Sequence, residues 1–198
     1  MSFRQKIKEA TQLYHDQTEQ LPTRSVGEFT LDDYRDFLLT SWLFHHSVEQ
    51  ALTDFLPDEL KETLVWQDRQ KASRLEQDLQ ELGADYRSLH SPSLTVHTLP
   101  QALGTMYVTE GSTLGGMMMK KMWEEHPVIG DRSSFAFLGC YGQQTGARWK
   151  SFSQVLEASV PRPTDEAEAI AAAQAAFELY QTCHHQVHAQ ITPSSTTS

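Results

Sequence analysis

The sequence predicts an all-α fold, and three observations support this prediction. Hydrophobic residues recur at helical spacing along most of the chain, beginning with Phe3, Ile7 and Tyr14. Alternating β-branched segments are almost absent, and the best strand candidate, residues 93–98, is too short to anchor a sheet. The chain has 198 residues, of which 39% are hydrophobic, and this suits one domain with a sizeable core. We therefore expect a single helical domain over residues 1–190, built from about six or seven helices.

Local signals set the expected helix boundaries. Thr30-Leu-Asp-Asp33 resembles a capping box and begins the second helix, Pro57 ends it, and Gly83 is a good C-cap for the third. The predicted helices span about residues 3–19, 30–55, 58–82, 100–125, 145–158 and 166–190. Residues 85–99 and 131–142 are expected to connect helices, and residues 191–198 to form a polar, flexible tail.

Composition excludes several classes of function. Lys and Arg total 16 against 26 Asp and Glu, which gives a formal net charge of −10. So acidic a chain is a poor candidate for binding nucleic acid or an anionic membrane surface. The N-terminus lacks the apolar core of a signal peptide, and no segment approaches the length of a membrane span. Cys140 and Cys183 suit two reduced thiols, so we expect a cytoplasmic protein.

The fourth predicted helix is unusual because it contains four glycines, Gly104, Gly111, Gly115 and Gly116. Each glycine inside a helix costs roughly 0.5–1 kcal/mol relative to alanine. At about 100° per residue, the first three share a narrow stripe, and Gly116 flanks it. A stripe without side chains lets either a second helix or a flat ligand approach the backbone. The adjacent pair at 115–116 also permits a kink, which favours a helix that covers a ligand.

The first predicted helix carries a possible iron ligand. Lys8, Thr11, His15 and Glu19 follow one another at single-turn spacing and therefore share a face. A neutral imidazole can bind iron through one nitrogen while the other donates a hydrogen bond, here to Glu19 or a water. Lys8 could meet a carboxylate of the ligand. Taken alone, however, His15 is an ordinary helical histidine.

Four stretches of the chain resemble one known family. Residues 8–19, KEATQLYHDQTE, resemble the proximal helix of heme oxygenases, and residues 106–116, MYVTEGSTLGG, resemble the distal helix of their bacterial, biliverdin-producing branch. Residues 74–83 and 141–152 agree with the same family, so the resemblance spans about residues 3–160. It implies a multi-helix bundle that holds heme between the first helix and the glycine-rich distal helix.

The resemblance also implies roles for residues on the proximal side. His15 would be the iron ligand, and its helical face, which by spacing also carries Thr11 and Glu19, would be the heme-binding face. The heme propionates would be bound by polar and basic side chains, namely Lys8, Tyr107, and Arg148 or its neighbour Lys150.

On the distal side, the resemblance implies that the backbone at Gly111, Gly115 and Gly116 passes close over the ring. Ser112 stands where the animal enzymes carry an aspartate that organises distal water. Bacterial relatives also lack this aspartate, so the difference concerns which groups hold the distal water. We expect Ser112 to belong to the catalytic site together with the three glycines.

The function implied by the resemblance is heme oxygenation. Heme would be both substrate and cofactor, and O2 with an external donor, an electron-donor protein or a small reductant, would open it to biliverdin, CO and iron. A protein that accepts the bilin would be a further partner. One alternative is a carrier or sensor that binds heme without degrading it, although such a protein would not need a bare distal backbone.

Four further patterns in the sequence have a bearing on function. A di-iron carboxylate protein would need Glu-x-x-His motifs, and the sequence contains none. A thiaminase-like enzyme of the same architecture would need a cysteine nucleophile in the pocket, and neither cysteine lies in a convincing motif. His184 and His188 are one turn apart and could bind a metal, but a solvated helix end explains them more simply. The pair His45-His46 is interpreted as one partly buried and one exposed side chain.

Overall fold

A computed structural model describes residues 1–21 and 28–191, and these residues form helices and connecting loops without a strand. The predicted all-α class is therefore confirmed, and residues 93–98 run as an irregular loop. The helices are α1 (Phe3–Glu19), α2 (Leu31–Phe55), α3 (Asp58–Leu64), α4 (Trp66–Arg69), α5 (Ala72–Glu81), α6 (Leu99–Gly111), α7 (Thr113–Glu124), α8 (Thr145–Ser159) and α9 (Pro163–Ile191). A 3-10 turn over Gly142–Gln144 leads into α8. The predicted tail beyond residue 191 lies outside the described residues.

The predicted start signal of α2 and the predicted stop signal of α5 are confirmed, and the structure adds a cap for α1. Ser2 caps α1 by accepting a hydrogen bond from the amide of Gln5. Thr30 and Asp33 form the expected capping box at the start of α2, in which each side chain accepts from the other residue's amide. Gly83 follows α5 with a φ of +64°, a left-handed conformation that glycine adopts without steric cost.

The prediction of one helix over residues 58–82 is wrong, because the chain forms three short helices there. Val65 takes a left-handed conformation with a φ of 51° and ends α3. The Arg69 side chain then donates to a carbonyl oxygen at the end of α3 over 2.6 Å. Glu49 on α2 accepts hydrogen bonds from the amides of Lys71 and Ala72 at the start of α5. Buried polar contacts from distant parts of the chain thus override the continuous helical pattern.

The glycine-rich helix is also interrupted, at Ser112 and not at the glycine pair where a kink was predicted. Thr109, Ser112 and Thr113 each donate a side-chain hydrogen bond to the carbonyl three residues earlier, over 2.7–3.1 Å. Such bonds compete with the backbone hydrogen bonds of a helix and bend it. The interruption therefore arises from hydroxyl groups in the sequence, and it separates α6 from α7.

The longest helix, α9, has 29 residues and spans about 43 Å at 1.5 Å per residue. It packs against α6, α1 and α2. Ala169, Ala173 and Ala176 are buried along one side of its first half, and their small side chains let α6 approach closely. At the closest point, a Cβ added to Gly104 would clash with the carbonyl group of Ala169. Among the described residues, no helix is both long enough and apolar enough to span a bilayer.

Candidate active site

A cavity of about 640 Å³ lies between α1, α2, α6, α7, α9 and the loop that precedes α8. Its volume is within the range of about 300–1,000 Å³ that is typical of small-molecule sites. Much of its wall is apolar and aromatic: Phe29, Phe37, Phe44, Val108, Met119, Met122, Trp123, Phe137, Leu138, Phe177 and Tyr180. A second depression, of about 540 Å³, is more open and is lined by polar residues such as Glu49 and Asp54. The first cavity is therefore the one that suits a large apolar ligand.

On the α1 side, the cavity wall includes His15 and Glu19. The His15 side chain is 52% exposed, so its ring is accessible to a ligand. Its Nδ1 lies 3.7 Å from a Glu19 carboxylate oxygen, and its ring is steeply inclined to that of Phe177 on α9, with the ring centroids 6.1 Å apart. Because Nδ1 is turned towards a carboxylate, Nε2 is the nitrogen left for a ligand.

On the opposite side, the glycines divide into two kinds. A Cβ added to Gly115 would meet none of the described atoms within 4 Å, and one added to Gly111 would meet only the Trp149 ring, at 3.8 Å. Both residues line the cavity, but only at Gly115 does the position of a Cβ face open space. Gly116 also lines it, but its added Cβ would lie 3.1 Å from the carbonyl oxygen of Leu138. Gly104 belongs to the packing contact with α9 instead.

The other predicted residues are only partly brought together. Tyr107 and Ser112 line the cavity. Thr11 is buried beside it, where its hydroxyl donates to the carbonyl of Ile7 over 2.7 Å. Burial raises the pKa of Tyr107, while a hydrogen bond with Thr11 opposes that shift.

The predicted basic residues lie away from the cavity wall. Lys8 and Lys150 are exposed, and Arg148 donates to the Asp68 carboxylate over 2.6 Å. Among the described residues that line the cavity, none is a lysine or an arginine. A ligand with carboxylates must therefore reach past this wall to meet these cations.

A buried charge network holds the end of α6, next to Gly111. Both Arg69 and Lys71 form ion pairs with Glu110, the latter over 2.9 Å, and Tyr141 donates to the same carboxylate over 2.8 Å. Burial alone would lower the pKa of Lys71, but the Glu110 carboxylate raises it above its ordinary value, so the ion pair persists. Sequence analysis missed this network. The signal available was Glu110 itself, which is the single charged residue in α6.

The loop before α8 is fixed to α5 by another buried carboxylate. Asp78 is fully buried and accepts hydrogen bonds from the amides of Ala136 and Phe137 over 2.8 and 2.9 Å. These bonds hold Phe137 and Cys140 at the cavity wall. Burial raises the pKa of the Cys140 thiol. A protonated thiol is a weak nucleophile, which argues against the thiaminase-like alternative.

Several histidines line the cavity that sequence analysis had not placed there: His45, His184 and His188. His45 is buried, and burial together with the charge of Lys71 lowers its pKa well below the ordinary value, so it is neutral at pH 7. Burial and the neighbouring histidines lower the pKa of His184 to about 4. His46 stacks on Trp42 instead, with ring centroids 4.9 Å apart.

The fold and the cavity together define a class of α-helical protein with one large, mostly apolar cavity, whose wall includes a histidine of the first helix and glycine backbone of α6 and α7. The family model for heme oxygenase matches residues 1–186. A protein of Xanthomonas campestris pv. campestris named heme oxygenase is 30% identical over 161 residues, which cover 79% of this chain and 92% of that protein. The chain therefore belongs to the heme oxygenase family, which comprises heme-degrading oxidoreductases.

Solved structures show the same fold. The NO- and CO-bound heme oxygenase of Neisseria meningitidis matches with a TM-score of 0.75 at 23% identity, over 98% of this chain and 96% of that one. Heme oxygenase-1 of the cyanobacterium Synechocystis, in complex with heme, matches with a TM-score of 0.70 at 15% identity, over 96% and 94% of the two chains. The predicted heme oxygenase-like bundle is thereby confirmed.

Proposed function

We propose that this cavity binds heme as both substrate and cofactor, and that O2 and electrons from an external donor convert it to biliverdin, CO and iron. The observation that supports this most directly is that His15 and the open backbone of Gly115 line one apolar cavity. Family membership supports the same activity.

The residues present suit heme by their chemistry. Phe37, Phe177 and the other aromatic side chains of the wall offer a surface for an apolar macrocycle. The accessible imidazole of His15 offers a nitrogen ligand of the type that holds heme iron in many proteins. The open space at Gly115 is space that any other side chain would fill.

On the α1 side, we assign the iron ligand to His15 and its hydrogen-bond acceptor to Glu19. A small rotation of either side chain shortens the 3.7 Å between Nδ1 and the carboxylate to a hydrogen bond. Such a bond fixes the tautomer, so Nε2 carries the lone pair that binds iron, and it raises the basicity of the ring. Tyr107, held by Thr11, and the outlying Lys8, Arg148 and Lys150 form the proposed polar partners of the propionates.

On the opposite side, the backbone of Gly111, Gly115 and Gly116 orients the ring and limits the space above it. Heme iron, when bound, supplies the activation of O2, and the ring itself is oxidised. The neutral imidazole of His45 can accept a hydrogen bond from water at one nitrogen and donate one at the other. The Ser112 hydroxyl donates to the carbonyl of Thr109, which leaves its oxygen free to accept from water.

The experiment that tests this proposal adds hemin, O2 and ascorbate to the full-length protein and follows the absorption spectrum. We expect a Soret band on binding, then its loss as a biliverdin band grows. His15→Ala should lose turnover, whereas His97→Ala, which removes an exposed histidine outside the cavity, should behave as the parent. A stable Soret band under turnover conditions would identify a heme carrier or sensor instead. Absence of a Soret band would refute heme binding.

We also propose that the protein is cytoplasmic and that residues 1–190 form one domain. Cys140 and Cys183 are free thiols, which supports the cytoplasm as the proposed location. The contacts of α9 with α1, α2 and α6 support one domain over residues 1–190.

A further inference from the structure

One carboxyl group on α2 lies between the cavity and the second, polar depression. Glu49 borders that depression together with His46 and Asp54. Its Oε1 also lies 3.9 Å from Nδ1 of His45, whose ring lines the cavity. Glu49 and His45 are one helical turn apart, and both are buried. Glu49 therefore links an open depression on the surface to a histidine of the cavity wall.

The start of α5 holds the Glu49 carboxyl group in place. The group accepts hydrogen bonds from the amide of Lys71 over 2.5 Å and from the amide of Ala72 over 3.1 and 3.3 Å. A carboxylate has about four lone-pair sites, so about one of them is left for a further partner. His45 Nδ1 has to approach by about 1 Å to reach hydrogen-bond distance, which is within the ordinary thermal movement of a side chain.

The groups around this pair allow Glu49 to titrate near neutral pH while His45 stays neutral. Burial raises the pKa of Glu49 to about 7; the amide and the charge of Lys71 oppose this shift, and the Glu76 carboxylate on α5 adds to it. Burial and the charge of Lys71 lower the pKa of His45 well below its ordinary value. Across the cavity wall, burial raises the pKa of the Cys140 thiol, so this group adds no charge at pH 7. The His45 ring therefore carries a single proton throughout the titration of Glu49.

We propose that Glu49 is a positioning residue that determines which nitrogen of His45 carries this proton. When Glu49 is ionised, its carboxylate accepts from the Nδ1–H group, and Nε2 offers the cavity a lone pair. When Glu49 is protonated, its O–H group donates to Nδ1, and Nε2–H becomes a donor towards the cavity. Between these states the pair gains one proton: Glu49 takes over the Nδ1 proton, Nε2 takes one from water, and no electron moves.

The first experiment records the ring ¹⁵N resonances of His45 in the heme-free, full-length protein, since these show which nitrogen is protonated. His45→Ala identifies the resonances. Above pH 7 we expect the Nδ1–H tautomer in the parent and the Nε2–H tautomer in Glu49→Gln, whose amide N–H can donate to Nδ1 at any pH. Below pH 7 the parent should show the tautomer of Glu49→Gln.

The matched control is Asp54→Asn, which removes an exposed carboxylate from the same depression. His45 should respond to pH in this variant as it does in the parent. The same tautomer in the parent and in Glu49→Gln above pH 7 would overturn the proposal, and so would a parent tautomer that does not change with pH. Circular dichroism establishes that each variant is folded. The pH series on the parent remains a test even if Glu49→Gln does not fold.

The second experiment concerns turnover, and its interpretation rests on the proposed function. Reduction of O2 to the level of water consumes protons, so a donor at Nε2 of His45 should favour biliverdin formation. With hemin, O2 and ascorbate, we expect the rate of the parent relative to Glu49→Gln to fall by up to about tenfold as the pH rises through 7, the contribution of about one hydrogen bond.

Asp54→Asn should follow the parent in this assay as well. A ratio of rates that is constant with pH would refute an effect of the His45 tautomer on turnover. If no biliverdin forms at any pH, the proposed function fails, whereas the ¹⁵N resonances of the heme-free protein still decide whether Glu49 sets the tautomer.

Discussion

Gly104 and Gly115 were predicted to share one helical stripe, but Gly104 packs against the backbone of α9 and Gly115 faces open space. The same substitution, glycine to alanine, should therefore have opposite effects on stability at the two positions. In Gly104→Ala, the added methyl would clash with the Ala169 carbonyl oxygen and lie 2.8 Å from its carbon, where ordinary contacts begin at 3.4 Å. The α6 and α9 backbones must therefore separate by at least about 0.6 Å, and a gap of that size forfeits about a quarter or more of each dispersion contact. In Gly115→Ala, the methyl enters open space.

Magnitudes follow from these environments. Overpacking typically lowers stability by about 1–3 kcal/mol, whereas the higher helix propensity of alanine over glycine raises it by about 0.8–1 kcal/mol. Gly104→Ala should therefore lower the free energy of unfolding by up to about 2 kcal/mol. Heme-free Gly115→Ala should gain up to about 1 kcal/mol but bind heme in a shifted position. A misplacement of about 1 Å can reduce a rate roughly a hundredfold, so biliverdin formation should fall.

Urea denaturation of the heme-free variants measures the first effect, and chromatography of the bilin products measures the second. The two variants control for each other, because the same chemical change is made in both. If Gly104→Ala unfolds at the parent's urea concentration, α6 and α9 are not in the close contact described. If Gly115→Ala retains the parent's rate and isomer pattern, the backbone at Gly115 does not approach the ring.

Three further predictions concern stability. Glu110→Gln should lower the free energy of unfolding by about 3 kcal/mol or more, because Arg69 and Lys71 remain buried without their counter-charge; exposed Glu62→Gln is the control, and equal urea midpoints would contradict the network. Burial raises the pKa of Glu49 to about 7, so between about pH 4.5 and 7 the folded state retains a proton that the unfolded state releases, and this group's contribution to stability falls as pH rises. Glu49→Gln should remove that fall, and parallel stability–pH profiles would refute the shift. Val65→Gly should raise the free energy of unfolding by up to about 1 kcal/mol, since left-handed backbone costs a side-chain-bearing residue about 1–2 kcal/mol; a lowered thermal midpoint would count against it.

The sequence predicted those features that depend only on residues close together in the chain. The predicted cap at Thr30 lies next to the helix it begins, and its hydrogen bonds form within one turn. Gly111 and Gly115 were expected to bare the backbone for a ligand, and helical geometry alone placed them on one stripe. The sequence of one helix does not show whether another helix or a cavity lies against a given glycine. Gly104 could therefore be distinguished from Gly115 only in the folded structure.

The features that sequence analysis missed depend on residues far apart in the chain. The interruption before α5 involves Glu49, which lies 22 residues away from Lys71, and no periodicity within residues 58–82 reveals it. Likewise, His184 and His188 looked like a solvated helix end because the sequence of α9 does not show which side faces α1 and α2. Once that side is fixed, His184 follows Phe177 and Tyr180 on one face.

The two halves of α9 are therefore subject to different constraints on change. Residues near Ala169 touch another backbone, so any enlargement there is opposed by the whole bundle. From Phe177 onwards, the side chains that line the cavity, such as Tyr180 and His184, border free volume and can change in size without forcing helices apart. One continuous helix thus joins a tightly packed contact with α6 to a stretch whose side chains border the cavity. Substitutions in the second half of α9 would therefore alter which ligand the cavity accepts, while the packing of α9 against α6 stays the same.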